Sequence, residues 1–116
     1  MKTMIKAVRC HRFAGLDAEG NPVPTPDSVV EVLSLDEISQ PECEPGTILV
    51  SVNYAGIQYP DFLQAQGFYQ HRPGLPYVPG MDATGTVLEI GAGVERLQVG
   101  DRVVGQMNIG LSLIHI

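Results

Sequence analysis

The stretch GIQYPDFLQAQGFYQ, residues 56–70, carries the side chains best suited to chemistry. Tyr59, Asp61 and Tyr69 are spaced around a turn and a short helical pattern. A tyrosine hydroxyl keeps its proton at neutral pH, so it can donate a proton or a hydrogen bond to a substrate. The alternative for each tyrosine is a packed amphipathic ring, and for Asp61 it is the stabilisation of a helix end. These residues alone leave both interpretations open.

Metal and nucleophile chemistry has less support in the sequence. His11, His71 and His115 lack the i, i+4 spacing or the C-x-x-C neighbours that zinc sites use. Cys10 and Cys43 are too far apart in sequence for a C-x-x-C pair, and two reduced thiols are the favoured interpretation. The chain also has no Gly-x-Ser-x-Gly nucleophile motif.

The glycines of GAGVERLQVG, residues 91–100, superficially suggest a phosphate-binding loop. They do not complete G-x-G-x-x-G because position 96 is Arg, and no long helix pattern follows. This segment is therefore predicted to connect two strands.

The elements that must position these residues are mostly strands. Alternating or β-branched runs predict strands at 4–13, 29–35, 47–56, 83–91 and 101–105, with an exposed loop at 14–28. In the third strand Ile48, Val50, Val52 and Tyr54 are expected to share one face. Pro60 suits a first helical turn, and Gly67 ends a helix of about two turns. The pattern predicts a mostly β domain, a small and partly open barrel with one short helix.

Composition limits the classes of function. The chain has 116 residues, enough for one domain, and its net charge of -6 argues against nucleic acid or anionic membranes as partners. The first 13 residues contain no continuous apolar segment of a secretory signal. No run reaches the ~18 apolar residues of a membrane span. A cytoplasmic protein is predicted.

The ordered string from AGIQYPDFLQ to QVGDRVVG, within residues 46–106, resembles one known family. It is similar to the N-terminal, GroES-like catalytic domain of the medium-chain dehydrogenase/reductase superfamily, in the zinc-independent branch of quinone oxidoreductases and enoyl reductases. Residues 1–45 match this family only as a leading pair of strands with a loop. The resemblance implies a GroES-like, partly open β-barrel.

The same resemblance bears on zinc. In the zinc alcohol dehydrogenases of this superfamily, a Gly-x-Cys-His-x-Asp stretch and a Gly-His-Glu stretch supply ligands. Gln58 stands at the cysteine position and Met81 at the histidine position, while Tyr59 and Asp82 replace the neighbouring histidine and glutamate. An amide and a thioether are poor zinc ligands, so no catalytic zinc is expected.

The resemblance also implies a reaction and the roles of five residues. Zinc-free relatives bind NADPH between this domain and a following Rossmann domain, and reduce quinones or enones by hydride transfer. Gly67-Phe68-Tyr69 matches a Gly-x-Tyr stretch, which makes Tyr69 the candidate proton or hydrogen-bond donor. The nicotinamide side of the cofactor site is assigned to Gln58 and Tyr59, and structural roles are assigned to Asp61 and Asp82.

The end of the chain departs from the family. Residues 1–110 are assigned to the GroES-like domain, whereas the last six residues, LSLIHI, can be written in codons that resemble a sequencing adapter. Residues 111–116 are therefore interpreted as a non-native tail, and the natural protein is expected to continue into a Rossmann domain and to form a homodimer.

Two alternatives to the reductase remain. One is a zinc-type alcohol dehydrogenase domain, and the other is a stand-alone GroES-like binding or co-chaperonin module.

Overall fold

A computed structural model of the protein describes residues 3–106. Within this range the chain forms five strands and two helices: β1 (Met4–Cys10), α1 (Val29–Val32), β2 (Leu33–Ser39), β3 (Ile48–Gly56), α2 (Tyr59–Gln66), β4 (Asp82–Ile90) and β5 (Arg102–Gln106). Strands β1 and β2 form an antiparallel pair, and β3, β4 and β5 form a second antiparallel sheet in that order. The prediction of a mostly β, partly open domain is confirmed, with the strands in two open sheets and a second, single-turn helix beside the predicted one. The predicted tail, residues 111–116, lies outside the described residues.

The core is divided between the two sheets. One cluster joins β1, α1, α2 and two loops, through Cys10, Val32, Ala65, Ala14 and Tyr77. The other cluster is formed by side chains of the three-stranded sheet, namely Ile48, Val50 and Val87. Helix α2 is therefore held on the side of the two-stranded sheet, with its first turn next to the end of β3.

The strand predicted at 29–35 is wrong in its first half. Residues 29–32 form the single turn α1, and the strand β2 runs later, from Leu33 to Ser39. The reason is local: Ser28 precedes the turn, and its N–H donates to the Glu31 carboxylate at 3.2 Å. This capping interaction outweighs the strand preference of the valines.

The predicted face of β3 is also wrong. Ile48, Leu49 and Val50 are all buried, whereas Val52 and Tyr54 are exposed. The register with β4 shifts between Leu49 and Val50 and again between Val52 and Tyr54. Each irregularity changes the face on which later side chains lie, so a simple alternation cannot describe the strand.

The segment predicted as strand 4–13 and loop 14–28 divides differently. Strand β1 ends at Cys10, and the loop is largely exposed, but its first residues Ala14 and Gly15 are buried. Their N–H groups donate to the carbonyls of Ala65 and Gln66 at 3.0 and 2.9 Å. They thereby satisfy carbonyl groups that the end of a helix leaves free.

Helix α2 agrees with its prediction. Pro60 lies in the first turn, and Gly67 follows the last turn with φ 89°, the left-handed conformation that favours glycine.

Candidate active site

The start of α2 brings together three of the predicted site residues. Gln58 precedes the helix, and its N–H donates to Asp61 Oδ2 at 2.8 Å. The Gln58 side chain reaches in the other direction, where Nε2 donates to Asp82 Oδ2. Gln58 therefore links a carboxylate of the helix to a carboxylate of strand β4.

The position of Asp82 depends on the close approach of β3. Asp82 is the first residue of β4 and is paired with Gly56, the last residue of β3. A Cβ atom at position 56 would lie 2.5 Å from Asp82 Oδ1, so a larger residue here would require the carboxylate to move from its present position. The site thus combines the end of one strand, the start of the next and the first turn of a helix.

Each of these carboxylates has one oxygen that is buried and without a partner. Asp61 Oδ1 and Asp82 Oδ1 make no hydrogen bond within residues 3–106. Asp61 is only 5% exposed, although carboxylates are rarely buried without full pairing. The described part of the fold therefore leaves two buried acceptors without a donor, which is unusual in a folded protein.

An apolar groove of about 380 Å³ lies beside this network. Its lining comes from both sheets, from α2 and from residues 78–80, and includes Val8, Leu33, Ala55, Phe62 and Ala65. Asp61 contributes the one polar side chain among the described lining residues. The volume lies within the range of small-molecule sites, roughly 300–1,000 Å³.

An exposed pair of aromatic rings adjoins Gln58. Tyr59 and Phe62 are stacked with their ring centroids 6.2 Å apart and an interplanar angle of 26°. Tyr59 is 70% exposed, and its neighbour Ile57 is 89% exposed. Tyr59 and Phe62 thus present an accessible aromatic surface beside the exposed Gln58 side chain.

Tyr69 is placed apart from this network. It lies in the turn after α2, and the helix, about 12 Å long at 1.5 Å per residue, separates it along the chain from Gln58. The Tyr69 ring is half-buried, with its centroid 6.2 Å from that of His71. Its role as a proton donor therefore stays a prediction, as do the roles of Gln58 and Tyr59.

Sequence analysis missed a buried polar residue, Tyr77. Its backbone pairs with that of Cys10, and its ring is 2% exposed. Burial raises the pKa of the Tyr77 hydroxyl above its usual range, and the neighbouring Cys10 and the Asp61 charge raise that pKa further. The hydroxyl lies beside the Cys10 thiol, but the geometry falls short of a hydrogen bond, and it has no partner within the described chain. A lone aromatic residue in a Pro-rich loop was the only available signal.

His11 belongs to a surface cluster on β1 and β2. Its Nε2 lies 2.7 Å from Asp36 Oδ2, which also accepts from Arg9 Nε at 2.7 Å. Ser34 donates to the other oxygen, Oδ1, at 2.7 Å. The hydrogen bonds from Ser34 and then Arg9 lower the pKa of Asp36 to about 2. The serine contacts the acid and not the imidazole, so the cluster lacks the order of a catalytic triad.

Gln58 and Met81, at the positions of the zinc ligands in zinc-type relatives, are not part of another set of possible metal ligands among the described residues. Between residues 3 and 106, no group of three or more His, Cys, Asp or Glu side chains converges. Met81 is half-buried beside Asp82.

Between residues 3 and 106, no helix has the length and apolar character to cross a membrane.

Comparison with known proteins assigns the family. The sequence profile of the alcohol dehydrogenase GroES-like domain matches residues 44–112, more than half of the chain. The chain belongs to this domain family. The resemblance to the medium-chain dehydrogenase/reductase superfamily is thereby confirmed.

Individual relatives point to the same superfamily. The chain is 41% identical over 76 residues to rat quinone oxidoreductase-like protein 2, a match covering 66% of this chain and 22% of that protein. It is 36% identical over 73 residues to an alcohol dehydrogenase of Geobacillus stearothermophilus, covering 63% of this chain and 22% of that enzyme.

A solved structure extends the match to most of the domain. The Escherichia coli quinone oxidoreductase in complex with NADPH superimposes with a TM-score of 0.71 and 28% identity, covering 88% of this chain and 27% of that chain. The GroES-like domain thus spans between a fifth and a third of the length of these relatives.

Proposed function

We propose that this domain is the substrate-side domain of an NADPH-dependent oxidoreductase that reduces quinones or enones without catalytic zinc. The observation that carries the proposal is the hydrogen bond from Gln58 Nε2 to Asp82 Oδ2. At the two positions where zinc-type relatives keep cysteine and histidine, this chain has Gln58 and Met81. The Gln58 amide is hydrogen-bonded to the Asp82 carboxylate, which supports an active site that acts through hydrogen bonds.

The chain's own residues have distinct roles in this proposal. When bound, NADPH supplies the hydride, and a proton or hydrogen bond must stabilise the oxygen of the reduced carbonyl. We assign this donor role to Tyr69. Gln58 and Tyr59 provide the amide and the exposed ring against the nicotinamide, while Asp61 and Asp82 hold Gln58 in place from opposite sides.

The test is Tyr69→Phe in the full-length protein that carries this domain. The variant keeps the ring and removes only the hydroxyl, so kcat/KM for a quinone such as 1,4-naphthoquinone should fall by roughly 10²–10⁴-fold. The rate is measured from the oxidation of NADPH. A loss below twofold would show that Tyr69 is not the donor.

Tyr54→Phe is the matched control. Tyr54 lies on β3, is 79% exposed and is not one of the residues of the proposed site, so the same substitution there should leave kcat/KM within twofold. An equal loss in both variants would indicate a general effect of removing a tyrosine hydroxyl.

A zinc-type alcohol dehydrogenase is the second candidate, because one of the relatives is named an alcohol dehydrogenase. Metal analysis of the purified full-length protein separates the two, since stoichiometric zinc with alcohol oxidation would favour the alternative. A stand-alone binding module would show neither quinone reduction nor alcohol oxidation. It would instead assemble into a ring many times larger than one chain of 12.5 kDa. We further propose that the full-length reductase is a cytoplasmic homodimer.

A further inference from the structure

The turn that follows α2, residues 67–72, carries Tyr69 near its centre. Tyr69 lies two residues after Gly67 and two residues before His71. Side chains donate hydrogen bonds to the backbone carbonyls of both Gly67 and His71, so the chain is held on each side of Tyr69. The Tyr69 ring is half-buried, and its centroid lies 6.2 Å from that of the His71 ring.

Arg72 holds the start of this turn. Its Nε donates to the carbonyl oxygen of Gly67 at 3.1 Å. Gly67 is buried, and with its φ of 89° the chain leaves the helix there. The Phe68 N–H then donates to the Leu63 carbonyl at 2.9 Å. The arginine thus closes the turn onto a carbonyl at the helix end, where the helix itself supplies no donor.

Gln64 holds the end of the turn from inside the domain. Its side chain is fully buried on α2, and its Nε2 donates to the carbonyl oxygen of His71 at 3.3 Å. A carbonyl can only accept, so the NH₂ group of the amide must face it. Gln64 Oε1 is buried and has no partner within residues 3–106. In that range, the bond to His71 is therefore the polar contact that orients the amide.

The rest of the turn offers little to restrain Tyr69. Its neighbours Phe68, Gln70, His71 and Arg72 are all exposed. An exposed segment with few buried contacts opens readily, whereas a proton donor must keep its place to within a fraction of an ångström. The hydrogen bonds from Arg72 and Gln64 restrain the backbone on both sides of the tyrosine.

We propose that Arg72 and Gln64 are positioning residues for Tyr69, and that they fix turn 67–72 so that the Tyr69 hydroxyl reaches the substrate oxygen. This inference rests on the donor role of Tyr69 in the proposed function. Neither residue contacts the reacting atoms, and each acts through the backbone of the turn. Arg72 is expected to contribute more, because its bond is the shorter one and its donor is charged.

The experiment compares Arg72→Met, Tyr69→Phe and the double variant in the full-length protein, with 1,4-naphthoquinone as substrate and NADPH oxidation as readout. Methionine keeps an unbranched side chain and removes the donor. Arg72→Met should lower kcat about tenfold and leave KM within twofold, because misplacing a catalytic group affects the reaction more than substrate binding. Arg72→Lys, which keeps a charged donor, should recover part of the loss.

The double variant distinguishes positioning from a general structural role. If Arg72 acts through the Tyr69 hydroxyl, Arg72→Met should cause no further loss of kcat once Tyr69→Phe has removed that hydroxyl. An equal loss in both backgrounds would overturn the proposal, as would a loss below twofold when Tyr69 is present.

Arg96→Met is the matched control. Arg96 is exposed on the connection between β4 and β5, so its replacement should leave kcat within twofold. An equal loss in Arg96→Met and Arg72→Met would count against a specific role of Arg72.

Gln64→Leu tests the other end of the turn. It keeps the approximate volume of the buried side chain and removes the donor to His71. It too should lower kcat only while the Tyr69 hydroxyl is present, and an equal loss in the Tyr69→Phe background would contradict the role of Gln64. If Gln64→Leu does not fold, the exposed Arg72 decides the proposal.

The outcome is separable from that of the proposed function. A loss below twofold in Tyr69→Phe would remove the donor role and the positioning together. A large loss in Tyr69→Phe with an unchanged kcat in Arg72→Met would remove only the positioning and leave Tyr69 as the donor.

Discussion

Two carboxylate clusters in this domain differ in how completely their oxygens are paired. On the β1–β2 surface, both oxygens of Asp36 accept hydrogen bonds, from Ser34 on one side and from Arg9 and His11 on the other. At the start of α2, Asp61 and Asp82 each pair one oxygen and leave the other buried and unpaired. Asp36, whose side chain is 18% exposed, has both oxygens paired, whereas Asp61 and Asp82 each keep one buried oxygen without a partner within the described residues.

This difference distinguishes a carboxylate with a structural role from carboxylates that are candidates for a function. A saturated surface carboxylate fixes its neighbours and has no acceptor left for a ligand. A buried carboxylate oxygen without a partner is rare in folded proteins and requires an explanation beyond the contacts of the fold. By this criterion the start of α2, and not the surface cluster with its histidine, is the place to look for recognition.

The largest expected effect that tests this contrast is on stability at Asp61. Asp61→Ala removes the acceptor of the Gln58 N–H and the negative charge in the first turn of α2. The free energy of unfolding should fall by about 2 kcal/mol, measured by urea denaturation. A gain in stability would mean that the burial cost of the unpaired Oδ1 exceeds the value of this capping bond.

A smaller effect is expected at Gly56, which allows Asp82 to approach the end of β3. Gly56→Ala would place a methyl group 2.5 Å from the present position of Asp82 Oδ1, so the carboxylate must move. We expect a loss of about 1 kcal/mol, and a smaller loss when the same change is made in an Asp82→Ala background. Equal losses in the two backgrounds would show that the methyl group and the carboxylate do not compete for the same space.

The smallest effect is expected at the saturated cluster and depends on pH. Because the pKa of folded Asp36 is lowered from 3.8 to about 2, its charge stabilises the folded state above about pH 4, and this contribution is lost as the pH falls toward 2. Asp36→Asn should therefore lower Tm slightly at pH 7 and not at all near pH 2, in thermal melts across this range. A difference in Tm that is constant with pH would contradict the role of the charge. Ser34→Ala should raise the pKa of Asp36 in a carboxyl NMR titration, since Ser34 makes the largest contribution.

The sequence by itself determined the domain family, the mostly β content and the limits of α2. These features follow from local signals: the Pro60 and Gly67 boundaries, the turn glycines and the apolar runs act within a few residues of themselves. The link from Gln58 to Asp61 is equally local, because a residue before a helix and one in its first turn are neighbours in space.

Tertiary structure decided the rest. The register shifts in β3 exposed Val52 and Tyr54. Strand pairing brought Asp82 to Gly56 and thus to Gln58, across 24 residues of sequence. The free oxygen of Asp61 and the groove around it likewise exist only because two sheets and a helix meet there. Such contacts depend on the packing of distant segments, which no local pattern of residue types encodes.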